Sequence, residues 1–198
     1  MLKDGWFHSG DSAFLREDGH LVFVDRLQNL VQLSGDDRVA PQFIESRLRF
    51  SPYIKDAWVM VGPEGAYVAA IIVINYDYVS QWAGQNRVAF TSFAELSQTR
   101  EVYELVRQDI DRLNLTVPAG ARVRKYVNLH KEFDPDEAEL TRTRNLRRAF
   151  LVERYHKVMD AIYSDNEAVL IEARDGNRDG QTGTSGTSLR IQSVEGAD

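Results

Sequence analysis

Two small clusters near the start of the chain hold the residue types best suited to chemistry, Ser9-Gly10-Asp11 and Asp25-Arg26. Asp11 follows two small residues, so its carboxylate would sit at a tight turn. There it could accept two hydroxyl hydrogen bonds at once, as gripping a ribose diol requires. Arg26 offers a planar fork of donors for ribose or phosphate oxygens. The bland reading fits the same residues: Gly and Asp are ordinary turn formers, and either cluster would serve as a loop with no ligand at all.

The elements around the clusters follow from pattern. Leu21-Val22-Phe23-Val24 reads as a strand that delivers Asp25-Arg26, and Glu17-Asp18-Gly19-His20 reads as the hairpin turn before it. Leu30 to Leu33 reads as a second strand, pairing back on Leu21 to Val24 through a hinge at Asp25 to Asn29. Gly35 to Arg38 is a polar turn, and Pro41, with its preset φ, opens a helix running to about Phe50. Ile54 to Gly62 and Ala66 to Asn75 read as strands, the second apolar on both faces and so central in a sheet. Helices are expected over Tyr76 to Ala83, Ser92 to Leu113 and Leu146 to Ile162. The last carries Leu146, Phe150, Leu151, Tyr155, Val158, Met159 and Ile162 as a packing stripe. Val123 to Leu129 and Ala168 to Ala173 complete the expected strands.

Taken in order, the stretch from Gly5 to Glu45 resembles the adenylate-forming long-chain acyl-CoA synthetases, the fatty acid–CoA ligases of the AMP-binding enzyme family. Gly5-Trp6-Phe7-His8-Ser9-Gly10-Asp11 matches a family motif with serine for the usual threonine. Asp25-Arg26 matches the family's hinge motif, and Ser34-Gly35, Val39-Ala40-Pro41 and Ile44-Glu45 continue the match. The resemblance extends to about Ala173.

The resemblance implies an α+β fold: a small mixed sheet of about three strands with covering helices, preceded by strands of a larger N-terminal domain and a hinge. Residues 1–25 are then the N-terminal strands, 26–173 the C-terminal domain, and 174–198 a disordered tail rich in Gly, Thr, Ser, Asp and Arg. Residues 1–24 are expected to pack poorly, because their sheet partners belong to the larger domain.

It also implies a reaction: fatty acid, ATP and CoA give acyl-CoA, AMP and pyrophosphate, with magnesium assistance. Asp11 and Arg26 would bind the nucleotide, Gln28 would be the pivot, and Gly35 would approach the pantetheine of CoA. The family's catalytic lysine falls at Asn145, within Glu139-Leu140-Thr141-Arg142-Thr143-Arg144-Asn145-Leu146-Arg147-Arg148. An amide brings no positive charge to phosphate oxygens. Arg144 and Arg147 are the nearby substitutes. Gln28-Asn29 replaces a common lysine-aspartate, and Asp36 replaces a common second glycine. The expected state is a fragment that is inactive alone and holds ATP/AMP, CoA and magnesium weakly, or a binding module for nucleotide or CoA that docks on a separately encoded N-terminal adenylating domain. A decayed gene product is the third reading.

Composition narrows the field. The 198 residues carry a formal net charge of −6, which argues against an electrostatic nucleic-acid binder. With no cysteine there is no disulfide framework or thiolate chemistry. No run approaches the ~20 apolar residues of a membrane span, so the expectation is a chain that is not transmembrane and is cytoplasmic. His8, His20, His130 and His156 lack metal spacing. Asp134, Asp136, Glu137 and Glu139 read as a solvated acidic loop. Arg142, Arg144, Arg147 and Arg148 form a basic patch, either a solvated helix start or a seat for an acidic partner or CoA phosphate. Thr184-Ser185-Gly186-Thr187-Ser188 has the composition of a phosphate loop, but no lysine follows and no strand precedes it.

Overall fold

The computed structural model describes residues 2–35, 37–164, 166–173 and 185–194. Five short strands and ribbons come first: β1 (Leu2–Lys3), β2 (Trp6–Phe7), β3 (Asp11–Leu15), β4 (Leu21–Arg26) and β5 (Val31–Gln32). Then follow β6 (Arg38–Val39), α1 (Pro41–Leu48), β7 (Ile54–Val61), β8 (Val68–Ile74), α2 (Tyr76–Gln85), α3 (Phe93–Gln98) and α4 (Arg100–Asn114). The chain continues with β9 (Val123–Asn128), α5 (Arg148–Arg154), α6 (His156–Ile162), β10 (Ala168–Ala173), β11 (Ser185–Arg190) and β12 (Gln192–Ser193).

The central sheet is mixed, in the order β12-β9-β8-β7. β8 runs antiparallel to β7 and parallel to β9, and β12 is antiparallel to β9. All of β8 is buried, as its unbroken apolar run requires. Alternate residues feed two cores. Val68, Ala70, Ile72 and Ile74 face α1, α2 and α4, whereas Ala69, Ile71 and Val73 face α5 and α6. Each valine and isoleucine among them contributes about 1.5–3 kcal/mol by leaving water.

Several expectations need correction. The sheet has four strands, because β12 adds to the expected three. β5 pairs with β6, through Val31↔Val39 and Gln32↔Arg38, and not with β4. A short 3-10 turn at Leu27–Asn29 separates β4 from β5, so the chain leaves the hairpin instead of folding back on it. The helix expected over Ser92 to Leu113 is two helices. Ser92 caps α3 by accepting from Glu95 N, and Thr99 ends α3 and caps α4 by accepting from Val102 N. The expected helix from Leu146 to Ile162 starts at Arg148 and breaks at Tyr155, whose φ of −105° and ψ of 20° are not helical. The tail expected to be disordered contains β11 and β12 over its described part, and Leu189, Ile191 and Val194 are buried. Ser185 to Ser188 accordingly lie in β11, paired with β10, and not in a phosphate loop; Thr184 lies outside the described residues.

The acidic run is also not simply solvated. Glu139 is fully buried, and its Oε1 accepts from Tyr155 Oη at 2.5 Å and Arg154 Nε at 2.9 Å. Its Oε2 accepts from Lys131 Nζ and Asp134 N, both at 2.8 Å. Burial first, and the Glu139 carboxylate second, push the Tyr155 hydroxyl far above its ordinary range. The sequence placed Glu139 in a loop but gave no sign that the loop folds under α5.

The two N-terminal ribbons stand apart in kind. Trp6 is 76% exposed, Phe7 74% and Leu21 73%, and Phe14, Leu15 and Phe23 are also exposed. The expectation of poor packing over residues 1–24 agrees with this surface. Replacing Glu139 with alanine should cost about 2–4 kcal/mol, because Tyr155 Oη and Asp134 N lose their acceptor, whereas Lys131 and Arg154 keep Glu137. Urea denaturation checks it, and a cost under about 1 kcal/mol would show that the hub is not structural.

Candidate functional site

The hairpin β3–β4 places the two chemical clusters opposite each other. Asp11 and Arg26 are register partners, and Arg26 Nη1 lies 2.9 Å from Asp11 Oδ1. The same nitrogen donates to Ser9 O at 3.1 Å, and Asp11 N donates to Ser9 Oγ at 3.2 Å. Gly10, at φ 79°, turns the chain so that its carbonyl accepts from Leu27 N at 2.8 Å. One Asp11 oxygen is thus engaged with Arg26, and both side chains remain accessible on the surface. The pair can present a carboxylate oxygen and a guanidinium edge side by side to a diol or an oxyanion.

Asp25 does different work. It is buried, and its Oδ1 accepts from Arg26 N at 2.7 Å and Asn29 Nδ2 at 2.8 Å, which ties the 3-10 turn shut. Its Oδ2 is buried without a hydrogen-bond partner among the described residues. Gln28 sits exposed in the middle of that turn.

Gly35 occupies the turn between β5 and β6, at φ 90°, where its O accepts from Gln32 Nε2 at 2.7 Å. A Cβ there would meet nothing, so the requirement at Gly35 is backbone conformation and not close approach within this chain. Close approach falls instead at Gly65. Its φ is 74°, its O accepts from Ser34 N at 3.0 Å, and a Cβ would lie 2.4 Å from Ser34 N. Gly65 braces the Ser34-Gly35 turn, a role that the sequence reading missed. Asp36 lies outside the described residues.

Asn145 is on a separate loop, closed by the bridge Leu140↔Leu146. Thr141 N donates to Asn145 O at 2.8 Å, and Asn145 N donates to Thr141 Oγ1 at 3.0 Å. Asn145 Nδ2 donates to Thr143 Oγ1 at 3.1 Å, so the amide is engaged locally at an exposed loop tip. Arg142 and Arg144 are exposed on the same loop, Arg144 with φ 60°. The other two arginines of the basic patch are engaged: Arg147 lies 5.8 Å over the Phe150 ring, and Arg148 Nη2 donates to Glu45 Oε2 at 2.6 Å. Among the described residues no hydrogen bond or ion pair joins Asn145 to Asp11 or Arg26, so the site residues fall into two groups.

Glu45 links the second group to the sheet. It is buried on α1, and its Oε1 accepts from Val59 N on β7 at 2.9 Å. Burial pushes its pKa up, opposed by the hydrogen bond and charge of Arg148. A cavity of about 330 Å³ between α1 and the loop is lined by Gln42, Glu45, Ser46, Arg49, Asn145 and Arg148, among others. Among the described residues no group of three or more His, Cys, Asp or Glu side chains could hold a metal ion. No helix of the described residues is long and apolar enough to cross a membrane.

Residues 28–167 match the AMP-binding enzyme C-terminal domain family. The long-chain-fatty-acid–CoA ligase FadD15 of Mycobacterium tuberculosis is 30% identical over 164 residues, covering 82% of this chain and 27% of the relative. Long chain acyl-CoA synthetase 2 of Arabidopsis thaliana is 28% identical over 170 residues, covering 83% of this chain and 25% of the relative. The chain therefore spans about a quarter of the length of these relatives. Among solved structures, the adenylation domain of a carboxylate reductase from Mycobacterium chelonae superposes with a TM-score of 0.59 at 21% identity, over 82% of this chain and 24% of that one. The match supports the fold.

Since Asp11 and Arg26 lie on the surface, their ion pair should contribute less than about 1 kcal/mol to folding. Thermal denaturation of Arg26→Ala checks this, with a small shift expected; a loss of several kcal/mol would make the pair a structural element instead.

Proposed function

Because the chain belongs to the AMP-binding enzyme C-terminal domain family, we propose that it is the C-terminal domain of a long-chain fatty acid–CoA ligase, acting only against a larger adenylating body. The observation that carries this reading is the Asp11–Arg26 pair, set immediately before the 3-10 turn that holds Gln28. In the proposed reaction a fatty acid carboxylate attacks the α-phosphorus of ATP and pyrophosphate leaves. The thiol of CoA then displaces AMP from the acyl carbon. Asp11 would accept ribose hydroxyls, Arg26 would hold the nucleotide's oxygens, and Gln28 would be the pivot between the two steps. Gly35 would lie along the path of CoA. The setting proposed is the cytoplasm.

Asn145 supports the view that the chain is inactive by itself. The loop tip brings an amide, hydrogen-bonded to Thr143, to the place where the family resemblance puts a lysine. A missing cation beside a developing phosphate charge lowers a rate by on the order of a hundredfold or more. The exposed Arg144 is the substitute best placed on the same loop.

A second reading is a binding module that docks on a separately encoded adenylating domain. It is favoured by the exposed Trp6, Phe7, Phe14, Leu21 and Phe23 of the N-terminal ribbons, a surface suited to a protein partner. The test begins with the isolated chain given ATP, magnesium, a long-chain fatty acid and CoA. We expect no pyrophosphate release above background, and acyl-adenylate formation would contradict the dependence on a larger body. Adding the separately expressed adenylating portion of a relative should restore thioester formation, faster with Asn145→Lys by about a hundredfold. No restoration with either residue would remove the docking reading.

A further inference from the structure

The family match ends at residue 167, and the next elements are β10, β11 and β12. This addition is fastened to the sheet at one edge. β12 pairs with β9 through Gln192↔Tyr126 and Ser193↔Lys125, and Val194 N donates to Arg124 O at 2.8 Å. Its approach is held from two sides. Tyr103 Oη donates to Arg190 O at 2.6 Å, and Arg190 N donates to Gln98 Oε1 at 3.1 Å. Ile191 N donates to Glu167 O at 2.8 Å, and the Arg190 guanidinium lies 5.8 Å over the Tyr103 ring. Leu189 and Ile191 enter the core under α5 and α6, whereas Val194 enters the core under α1 and α4. The segment thus crosses the sheet edge and binds both layers.

What lies beneath is an edge that would otherwise be open. β9 reads Val123-Arg124-Lys125-Tyr126-Val127-Asn128, with Val123, Tyr126 and Val127 fully buried. A β-prone strand of this kind with free backbone groups is a template for pairing with another chain. β9 also suits its own copy. In an antiparallel two-fold pairing centred on Tyr126, which keeps each layer on its own face of the sheet, Lys125 would face Val127 and Arg124 would face Asn128. No like charges would then stand opposite each other. Only two residues of β12 are in register with the six-residue β9. A cavity of about 680 Å³ beside Gln98, Glu167, Ser188, Arg190 and Gln192 lies along the segment.

We propose that residues 185–194 are an edge clasp, which keeps β9 from pairing with β9 of a second copy of this chain. Releasing the clasp exposes a strand that dimerises by sheet extension across the two-fold axis. This inference does not depend on the ligase reading.

The test uses the full chain with Gln192→Pro and Val194→Pro, which removes two backbone donors from the clasp. Hydrogen exchange and light scattering are followed across a concentration series. The clasp account expects the β9 amides that face away from β8 to exchange at least tenfold faster at low concentration. It expects a dimer at high concentration in which those amides regain protection. A variant that stays monomeric, or a dimer that leaves β9 exchange unchanged, overturns the proposal. If the variant does not fold, the wild-type chain decides. Ile191, Val194 and the outward β9 amides should then share one slow exchange class. Exchange of the outward β9 amides as fast as that of the exposed turn Arg16 to His20 overturns the proposal.

Discussion

The rest of the structure depends on where one buried carboxylate sends its two oxygens. Glu45 lies on α1, and accepts from the backbone of β7 and from Arg148 at the start of α5. A charged group taken out of water is costly unless each oxygen finds a donor, so the two bonds must form together. They fix α1 against the sheet edge and fix the start of α5 against α1. The loop that ends in Asn145 is anchored between those points, by its Leu140↔Leu146 bridge and by the Arg147 N bond to Glu139 O at 2.9 Å. Glu139 anchors the other end of the same layer through Arg154 and Tyr155. Two buried carboxylates therefore hold in place a loop whose tip, Arg142 to Asn145, is exposed.

The two groups differ in how they are put together. The Asp11–Arg26 pair is assembled within one hairpin, and strand register alone brings the partners together. Gln28 follows in a turn closed by Asp25, which needs nothing beyond five consecutive residues to form. Asn145 is placed by contacts distant in sequence, and within the chain it does not meet the hairpin pair.

Much of this was legible from the residues. The hairpin turn before β4, Pro41 at the start of α1, and the burial of β8 on both faces were written in local sequence, and they occur where expected. The helix breaks at Thr99 and Tyr155 were harder. Ser92-x-x-Glu95 and Thr99 carry capping signals that could have split the first of them, but apolar spacing ran through the break and masked it. Tyr155 gave no local sign, because its bond to Glu139 is a tertiary fact. The pairing of β5 with β6 depended on a 3-10 turn that redirects the chain. The ordered β11 and β12 were hidden for a related reason: a polar composition reads as disorder, and only Leu189, Ile191 and Val194 signal that the segment returns to the core.

The central claim is that Glu45 and Arg148 act as one clamp between α1 and α5. A double-mutant cycle with Glu45→Gln and Arg148→Met, read by urea denaturation, measures it directly. The account predicts a coupling of about 1–3 kcal/mol, as for other contacting residues in one charged network. Additive losses, with coupling within about 0.3 kcal/mol of zero, would contradict it.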